Sequence, residues 1–406
     1  MRTAPSDTAG TSYIDATTRP RRTRIGLVGP GFHLLGGLSV YTCRLANALC
    51  DDYDVSVLQL HKVMPARLYP GGHRAGAALT SMRYDDRVTS LGVLDWYWGL
   101  GLPRAATALR RARPEILVLQ WWTAATLHTY LALALVARAL RIPVVLEFHE
   151  TQDIGEAAVP LVARYARTVM PVLLRMVGGG LVHNAHDLAL LRRTYGDAAF
   201  ASLDVETAPH GPYDHLPVSA VPPTAAGAGA GTPTKLLFFG LIRPYKGVED
   251  LVAALDAMTP DQAAQFELAV VGETWEGWSL PSERIAASPY GDRITFVNRY
   301  VSDVEAGELY AWADAVVLPY RRGSASGPLQ LAMSAGHHVV LYAVGGLVEA
   351  VEGYDGATLV APDDVFALRD ALLELPARRT ERFSDPHSWE ATGTAFSRLA
   401  TRLASH

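Results

Sequence analysis

Cysteine is scarce: the chain of 406 residues has two, Cys43 and Cys50. That excludes a disulfide scaffold, and no neighbouring histidine or cysteine completes a metal-ligand spacing around the pair. The two lie in one helical pattern and share a face, so they read as small buried apolar side chains. Long apolar runs are missing too. Leu127 to Leu140 is among the longest, short of the ~20 residues that a membrane span needs. Met1 to Arg24 is polar, with no apolar stretch ahead of Arg19-Pro20-Arg21-Arg22, so no secretory leader is expected. Neither sign of charge dominates. The 36 Lys and Arg against 41 Asp and Glu leave a net charge of −5, which gives no global field to hold nucleic acid or an anionic membrane. The expectation is a reduced, cytoplasmic protein that binds no nucleic acid.

Apolar material is plentiful, at 49% hydrophobic residues against 19% charged, enough for large cores. At about 150 residues per domain, the length implies two to three domains. Residues 1–23 carry turn formers without periodicity and read as a disordered tail. Arg24-Ile25-Gly26-Leu27-Val28-Gly29 reads as a buried strand entering a glycine-rich loop. A helix follows with Leu38, Tyr41, Leu45 and Leu49 on one face. Strand patterns recur at 54–60, 116–120, 144–148 and 180–183, separated by helical stretches. That alternation argues for a parallel sheet covered on both faces. The Pro-, Gly- and Ala-rich run 217–234 can hold neither helix nor strand and marks a linker. Beyond it the alternation restarts. The expected division is a first α/β domain (24–216), the linker (217–234), a second α/β domain (235–385) and a terminal helix (386–406). Two such halves place a ligand in the cleft between them, at the carboxyl ends of strands.

The first glycine loop fails the dinucleotide fingerprint. Gly29-Pro30-Gly31-Phe32-His33-Leu34 lacks the third glycine, and the second strand ends at Leu60-His61 with no acid for a ribose hydroxyl. An oxidoreductase is nearly excluded on that ground. Gly36-Gly37 at a helix start has two readings: close approach of a phosphate to free amides, or tight packing of strand and helix. Phe239-Gly240-Leu241-Ile242-Arg243-Pro244-Tyr245-Lys246-Gly247 is more specific. It joins a strand to a helix and carries Arg243, a fork for phosphate oxygens, and Lys246, a point charge. Gly323-Ser324-Ala325-Ser326-Gly327-Pro328-Leu329 is a third loop of this kind. Three loops converging from two domains describe a diphosphate site.

For acid–base chemistry, Glu147-Phe148-His149-Glu150 ends a strand, and His149 is either a proton acceptor for a substrate hydroxyl or structural. His183 and Asn184 end the next strand and would form a second polar wall. His337-His338 resembles a metal pair, but adjacent strand residues point to opposite faces, so no metal is expected there. Two further features carry paired readings. Pro160 to Val177 mixes Arg164, Arg167 and Arg175 with Leu161, Val162, Val169, Val172 and Leu173. It is either a helix packed on the first domain or a peripheral membrane contact. Tyr84, Trp96, Tyr97, Trp98, Trp121 and Trp122 are either core or a carbohydrate platform.

Taken in order, these segments resemble the family 4 glycosyltransferases. The resemblance rests on Gly36-Gly37 through Leu49, Glu147-Phe148-His149-Glu150, Ala208-Pro209-His210-Gly211 and Phe239 through Gly247. Ala332-Met333-Ser334-Ala335-Gly336 and Gly345-Gly346-Leu347-Val348-Glu349 extend it, and it runs from about Arg24 to the end. It implies an α/β protein of the GT-B fold, with two Rossmann-like parallel-sheet domains facing across a cleft. It implies transfer of a sugar from a nucleoside diphosphate sugar to an acceptor hydroxyl, with retention and without a metal or other cofactor. The acceptor would be a small molecule, a glycan or a lipid-linked molecule. By the same resemblance Arg243 and Lys246 neutralise the leaving diphosphate, and Gly37 admits a phosphate closely. His149 lies beside acceptor and donor sugar. Ser326, Gly327 and Leu329 hold the diphosphate by their backbone, and Glu349 meets the sugar or a helix dipole. The family's paired glutamates fall on Gly323 and Leu331, neither acidic, and Leu241 stands where the family has a basic residue.

Two rivals stand beside this reading; the missing glutamates count mildly against the first and make the second plausible. A nucleotide-sugar epimerase of the same fold would act on a donor alone. A non-catalytic nucleotide-sugar or glycan-binding protein would bind a donor without transfer. The pattern carries no signal for an oligomeric state.

Overall fold

The computed structural model describes residues 22–32, 34, 37–65, 82–151, 159–216, 232–275 and 277–404. Residues 1–21 of the expected tail, Gly36 and residues 217–231 of the expected linker lie outside the described residues. Two parallel sheets are present. The first has seven strands: β1 Arg24–Pro30, β2 Asp54–Lys62, β3 Thr89–Asp95, β4 Ile116–Trp121, β5 Val144–Phe148, β6 Gly179–Val182 and β7 Asp204–Thr207, in the order β3-β2-β1-β4-β5-β6-β7. The second has six: β8 Thr234–Phe239, β9 Phe266–Val271, β10 Ile294–Val297, β11 Ala315–Leu318, β12 His338–Tyr342 and β13 Ala357–Val360, in the order β10-β9-β8-β11-β12-β13. Helices join the strands, as parallel pairing requires. The chain is α/β, with two Rossmann-like domains.

The central strands are the legible ones, because a strand covered on both faces reads as an unbroken apolar run. Every residue of Ile116–Trp121 and Val144–Phe148 is buried. Edge strands β3 and β7 give no such signal. Thr-Ser-Leu-Gly-Val-Leu-Asp is mostly exposed, and Asp-Val-Glu-Thr is only partly covered. Leu27 and Val28, on opposite faces of β1, enter separate cores. The core containing Leu27 continues through Tyr213 and Leu216 into the second sheet, so the two domains share apolar packing.

The carboxy-terminal helix Trp389–Ala404 packs on the first domain, against the helix Leu38–Leu49 and β7. Ala395, Phe396 and Leu399 are buried. Arg402 pairs with Asp204 at 2.6 Å and Glu206 at 2.7 Å, and Arg398 with Glu206 at 2.6 Å. Trp389 Nε1 donates to Pro212 O at 3.1 Å. Its ring lies 2.5–2.7 Å from where a Cβ on Gly211 would stand. Gly211→Ala therefore forces the ring and helix outward, at about 1–3 kcal/mol as for other overpacked sites. A lowered urea midpoint is the expected result; an unchanged one would mean that the helix is free to shift.

Candidate functional site

Strand order reverses between β1 and β4 in the first sheet and between β8 and β11 in the second. Loops leaving the carboxyl ends of such a pair diverge and open a crevice. A cleft of about 1050 Å³ lies there, lined by both domains. The first domain contributes Gly37, Trp96, Trp122, His149 and Glu150, and the second Arg243, Lys246, Ser326 and Gly327, among others. Trp96 and Trp122 are the members of the aromatic cluster that reach the cleft, whereas Trp121 is fully buried core.

On the second domain's wall, the Arg243 guanidinium lies 4.5 Å from the Trp275 ring centroid, and the Lys246 ammonium 3.5 Å from that of Tyr320. Desolvation pushes Lys246 down to about 7, against the pull of Glu150 across the cleft and with a smaller push from Arg243. The loop carrying both cations is fixed from behind. Gly247 has φ 64°, and a Cβ there would stand 2.1 Å from Pro319 O, so this turn is open to glycine alone. Arg321 N donates to Tyr245 O at 2.8 Å and its Nη1 to Pro244 O at 3.2 Å. Arg321 is itself held by Glu249 at 2.7 Å and Asp250 at 2.6 Å. Sequence reasoning missed Arg321, because its role lies in carbonyls more than 70 residues away. In the third loop, Ser326 Oγ accepts from Leu329 N at 3.3 Å and caps the helix Gly327–Ser334. Ser326 and Gly327 face the cleft. Leu329 is buried, and its amide is used by that cap.

On the first domain's wall, His149 sits over a polar cluster at the ends of β5 and β6. His183 Nδ1 faces Ala208 O at 3.1 Å, and its Nε2 lies 3.2 Å from His149 Nδ1. His149 Nε2 stands 3.6 Å from Glu147 Oε2. The fully buried Glu147 accepts from Tyr41 Oη at 2.7 Å and from Gln120 Nε2 at 3.0 Å. Burial works to raise the Glu147 carboxyl, but the His149 and His183 rings and the Tyr41 hydroxyl together hold it below its ordinary value. Burial and the neighbouring His149 push His183 down to about 4, so its ring is neutral. His183 supports His149 from behind and does not line the cleft.

Asn184 and Glu349, grouped with the cleft in the sequence, stand elsewhere. Glu349 accepts backbone N–H bonds from Ala185 at 2.7 Å and His186 at 2.8 Å, at the amino end of the helix Ala185–Tyr195 in the other domain. Asn184 caps the same helix: its Oδ1 accepts from Asp187 N at 2.7 Å. A Cβ on Gly346 would come within 2.6 Å of Asn184 Nδ2. The reason is electrostatic: a helix amino end offers free N–H groups and a positive dipole, which attract a carboxylate. These residues join the domains. Tyr213 joins them too. Its hydroxyl donates to Gly37 O at 3.0 Å, and its ring lies 3.0 Å from where a Cβ on Gly327 would stand.

Two sequence families match consecutive parts of the chain. The "Glycosyl transferase 4-like domain" covers residues 36–201, and "Glycosyl transferases group 1" covers residues 233–377. The chain belongs to the family 4 glycosyltransferases of the GT-B fold. It is 36% identical over 115 residues to a GDP-mannose:glycolipid 4-beta-D-mannosyltransferase of Xanthomonas campestris pv. campestris, a match covering 28% of this chain and 31% of that protein. The match thus spans about a third of that relative's length. Sucrose-phosphate synthase from Thermosynechococcus elongatus superposes with a TM-score of 0.61 at 20% identity, over 95% of this chain and 98% of the other. Anabaena HepE in complex with UDP-glucose gives 0.59 at 16% identity, over 94% and 100%. In this glycosyltransferase the positions of the family's paired glutamates are a cleft-lining Leu331 and a Gly323 whose carbonyl accepts from Gly346 N at 3.1 Å.

Glu349→Ala removes two charge-assisted bonds between the domains, each worth about 1.5–3 kcal/mol. Small-angle X-ray scattering should show a larger radius of gyration for the variant. An unchanged radius would mean that the remaining contacts hold the cleft without Glu349.

Proposed function

We propose that this protein transfers a hexosyl group from a nucleoside diphosphate sugar to an acceptor hydroxyl, with retention at the anomeric carbon. The observation that carries the proposal is the pair Arg243 and Lys246, held on one cleft wall by Arg321 and stacked on aromatic rings. When the bond from C1 to the diphosphate oxygen breaks, its electron pair leaves on the diphosphate, where these two cations stand. The acceptor oxygen bonds to C1. Its proton passes to the departing diphosphate, because both His149 nitrogens are turned toward His183 and Glu147. No metal is assigned to the diphosphate in this reading. Retention follows from the family resemblance. The relative named for GDP-mannose and the neighbour bound to UDP-glucose support a nucleotide sugar as donor.

The acceptor is proposed to carry an apolar part. Val63, Met64, Trp96, Trp122, Val159 and Val162 line the first domain's end of the cleft. Beside them, Leu161 is 78% exposed, and Arg164 and Arg167 are exposed on the same helix, Pro160–Leu174. A glycolipid presented at a membrane face fits this surface, and the mannosyltransferase relative is named for one. No helix among the described residues is long and apolar enough to cross a membrane.

The right donor should stand out in a thermal-shift screen across nucleoside diphosphate sugars. With that donor and a glycolipid panel, Lys246→Ala or Arg243→Ala should lower kcat by about 10²–10³, as for other lost transition-state donors. Wild-type turnover in both variants would sink the assignment. Donor binding without transfer to any acceptor would favour the non-catalytic reading.

Lys246 also links donor binding to pH. With its ammonium at about 7, the free protein is largely deprotonated there at pH 8, and an incoming diphosphate favours the charged form. Calorimetry near pH 8 in buffers of different ionisation enthalpy should show proton uptake on binding. The uptake should fade below about pH 6, where the ammonium is already charged. Lys246→Met should abolish it, and uptake persisting in that variant would assign the proton elsewhere.

A further inference from the structure

Charge is divided unevenly across the cleft. Among the described lining residues, the second domain supplies every Lys and Arg: Arg243, Lys246 and Arg299. Histidines aside, the first domain supplies one charged side chain, and it is a carboxylate, Glu150. Glu150 follows His149, whose backbone N–H donates to Trp121 O at 2.9 Å and so holds the end of β5 against β4. His149 itself turns inward. Its ring packs edge-on against Tyr41 at 4.5 Å, and its Nδ1 lies 3.2 Å from His183 Nε2. Glu150 stands where the chain leaves the sheet, half-buried at the cleft, and its charge favours the Lys246 ammonium on the opposite wall.

The second wall offers no carboxylate at the positions where the family carries its paired glutamates. Leu331 is apolar, and Gly323 has no side chain, with its carbonyl engaged by Gly346 N at 3.1 Å. Two other carboxylates line the cleft among the described residues, Glu273 and Asp303. Glu273 stands beside the Trp275 platform of Arg243, its backbone carbonyl accepting from Ile242 N at 2.9 Å. Asp303 opens the helix Asp303–Trp312 and acts on His215. Of the three, Glu150 is the one that acts on Lys246, so it is the carboxylate set against the diphosphate cations.

Opposed charges sort a ligand that is anionic at one end. A diphosphate is drawn to Arg243 and Lys246 and repelled by Glu150, so the group esterified to its outer phosphate faces the first domain. A carboxylate only accepts, and sugar hydroxyls donate. Hydrogen bonds to a charged acceptor are about twice as strong as neutral ones. We propose that Glu150 is a specificity-determining residue for the donor sugar, accepting from hydroxyls of the hexose once the diphosphate is seated on Lys246. This role, which rests on the sugar-transfer reading, moves recognition of the sugar from the second wall to the first. A ligand that ends at the diphosphate gains nothing from Glu150. A hexosyl group on that diphosphate meets the carboxylate with hydroxyls and turns a repulsive wall into an attractive one.

The test is calorimetry on the full chain with no acceptor present, comparing UDP with UDP-glucose and GDP with GDP-mannose, in wild type and Glu150→Gln. Glutamine keeps the size of the side chain and removes its charge. For the pair that the wild type binds, the affinity of the sugar nucleotide relative to its bare diphosphate should fall about 10–100-fold in the variant, as for a lost hydrogen bond to a charged group. Any effect that passes through Lys246 acts on both ligands alike and cancels in this ratio. Retained binding of the bare diphosphate shows that the variant is folded. An unchanged ratio overturns the proposal and leaves sugar transfer standing, whether both affinities fall together or neither moves. Binding of none of the four ligands by the wild type would count against the sugar-transfer reading, and overturns this role with it.

Discussion

Glu349 rests on the amino end of a helix that belongs to the other sheet, and that contact sets the distance over which every group in the cleft acts. Both carboxylate oxygens are used, each by a backbone N–H that the helix itself cannot satisfy. The approach depends on Gly346, where any side chain would strike Asn184. With the contact made, Glu150 of the first domain is close enough to influence Lys246 of the second. Exposed charges more than a Debye length apart, about 8 Å at physiological salt, are largely screened from each other. A site assembled from two domains therefore needs a contact of this kind.

The cations of the second domain are prepared before any ligand arrives. Lys246 is desolvated against Tyr320, and Arg243 is stacked on Trp275. Removing a cation from water is unfavourable, and here that cost falls on folding instead of on binding. Arg321 carries part of it, since its guanidinium joins the loop carbonyl of Pro244 to the acidic pair Glu249 and Asp250. A loop fixed in this way meets a diphosphate with little reorganisation. That is the condition under which fixed charges stabilise a leaving group most.

Central strands were legible because burial on both faces leaves a continuous apolar run; edge strands β3 and β7 were not, since half their surface is polar by necessity. Arg243 and Lys246 were legible as cations between a strand and a helix. Glu349 was recognisable as a helix-dipole partner but not as a domain contact, because the amide it holds lies 163 residues away in sequence. Glu147 and Gln120 did carry a local signal. Each is a polar residue inside an otherwise apolar strand, Val-Val-Leu-Glu-Phe and Ile-Leu-Val-Leu-Gln-Trp, and each is fully buried. A buried carboxylate demands donors, so the strand pattern alone implied a polar cluster. It did not reveal that the donors would be Tyr41 and Gln120, which come from a separate helix and strand.

The two readings of a glycine at a loop, ligand approach and packing, are not rivals in this protein. Gly37 and Gly327 both line the cleft, so their backbones are open to a ligand from one side. From the other side Tyr213 fills the space that a side chain would need at each position. Its hydroxyl bond to Gly37 O anchors the ring to the first domain, while the ring face rests on the second. Any change in the separation of the two loops must pass through that ring. A Cβ at either glycine would then disturb two things at once: the approach of a phosphate and the register of the domains.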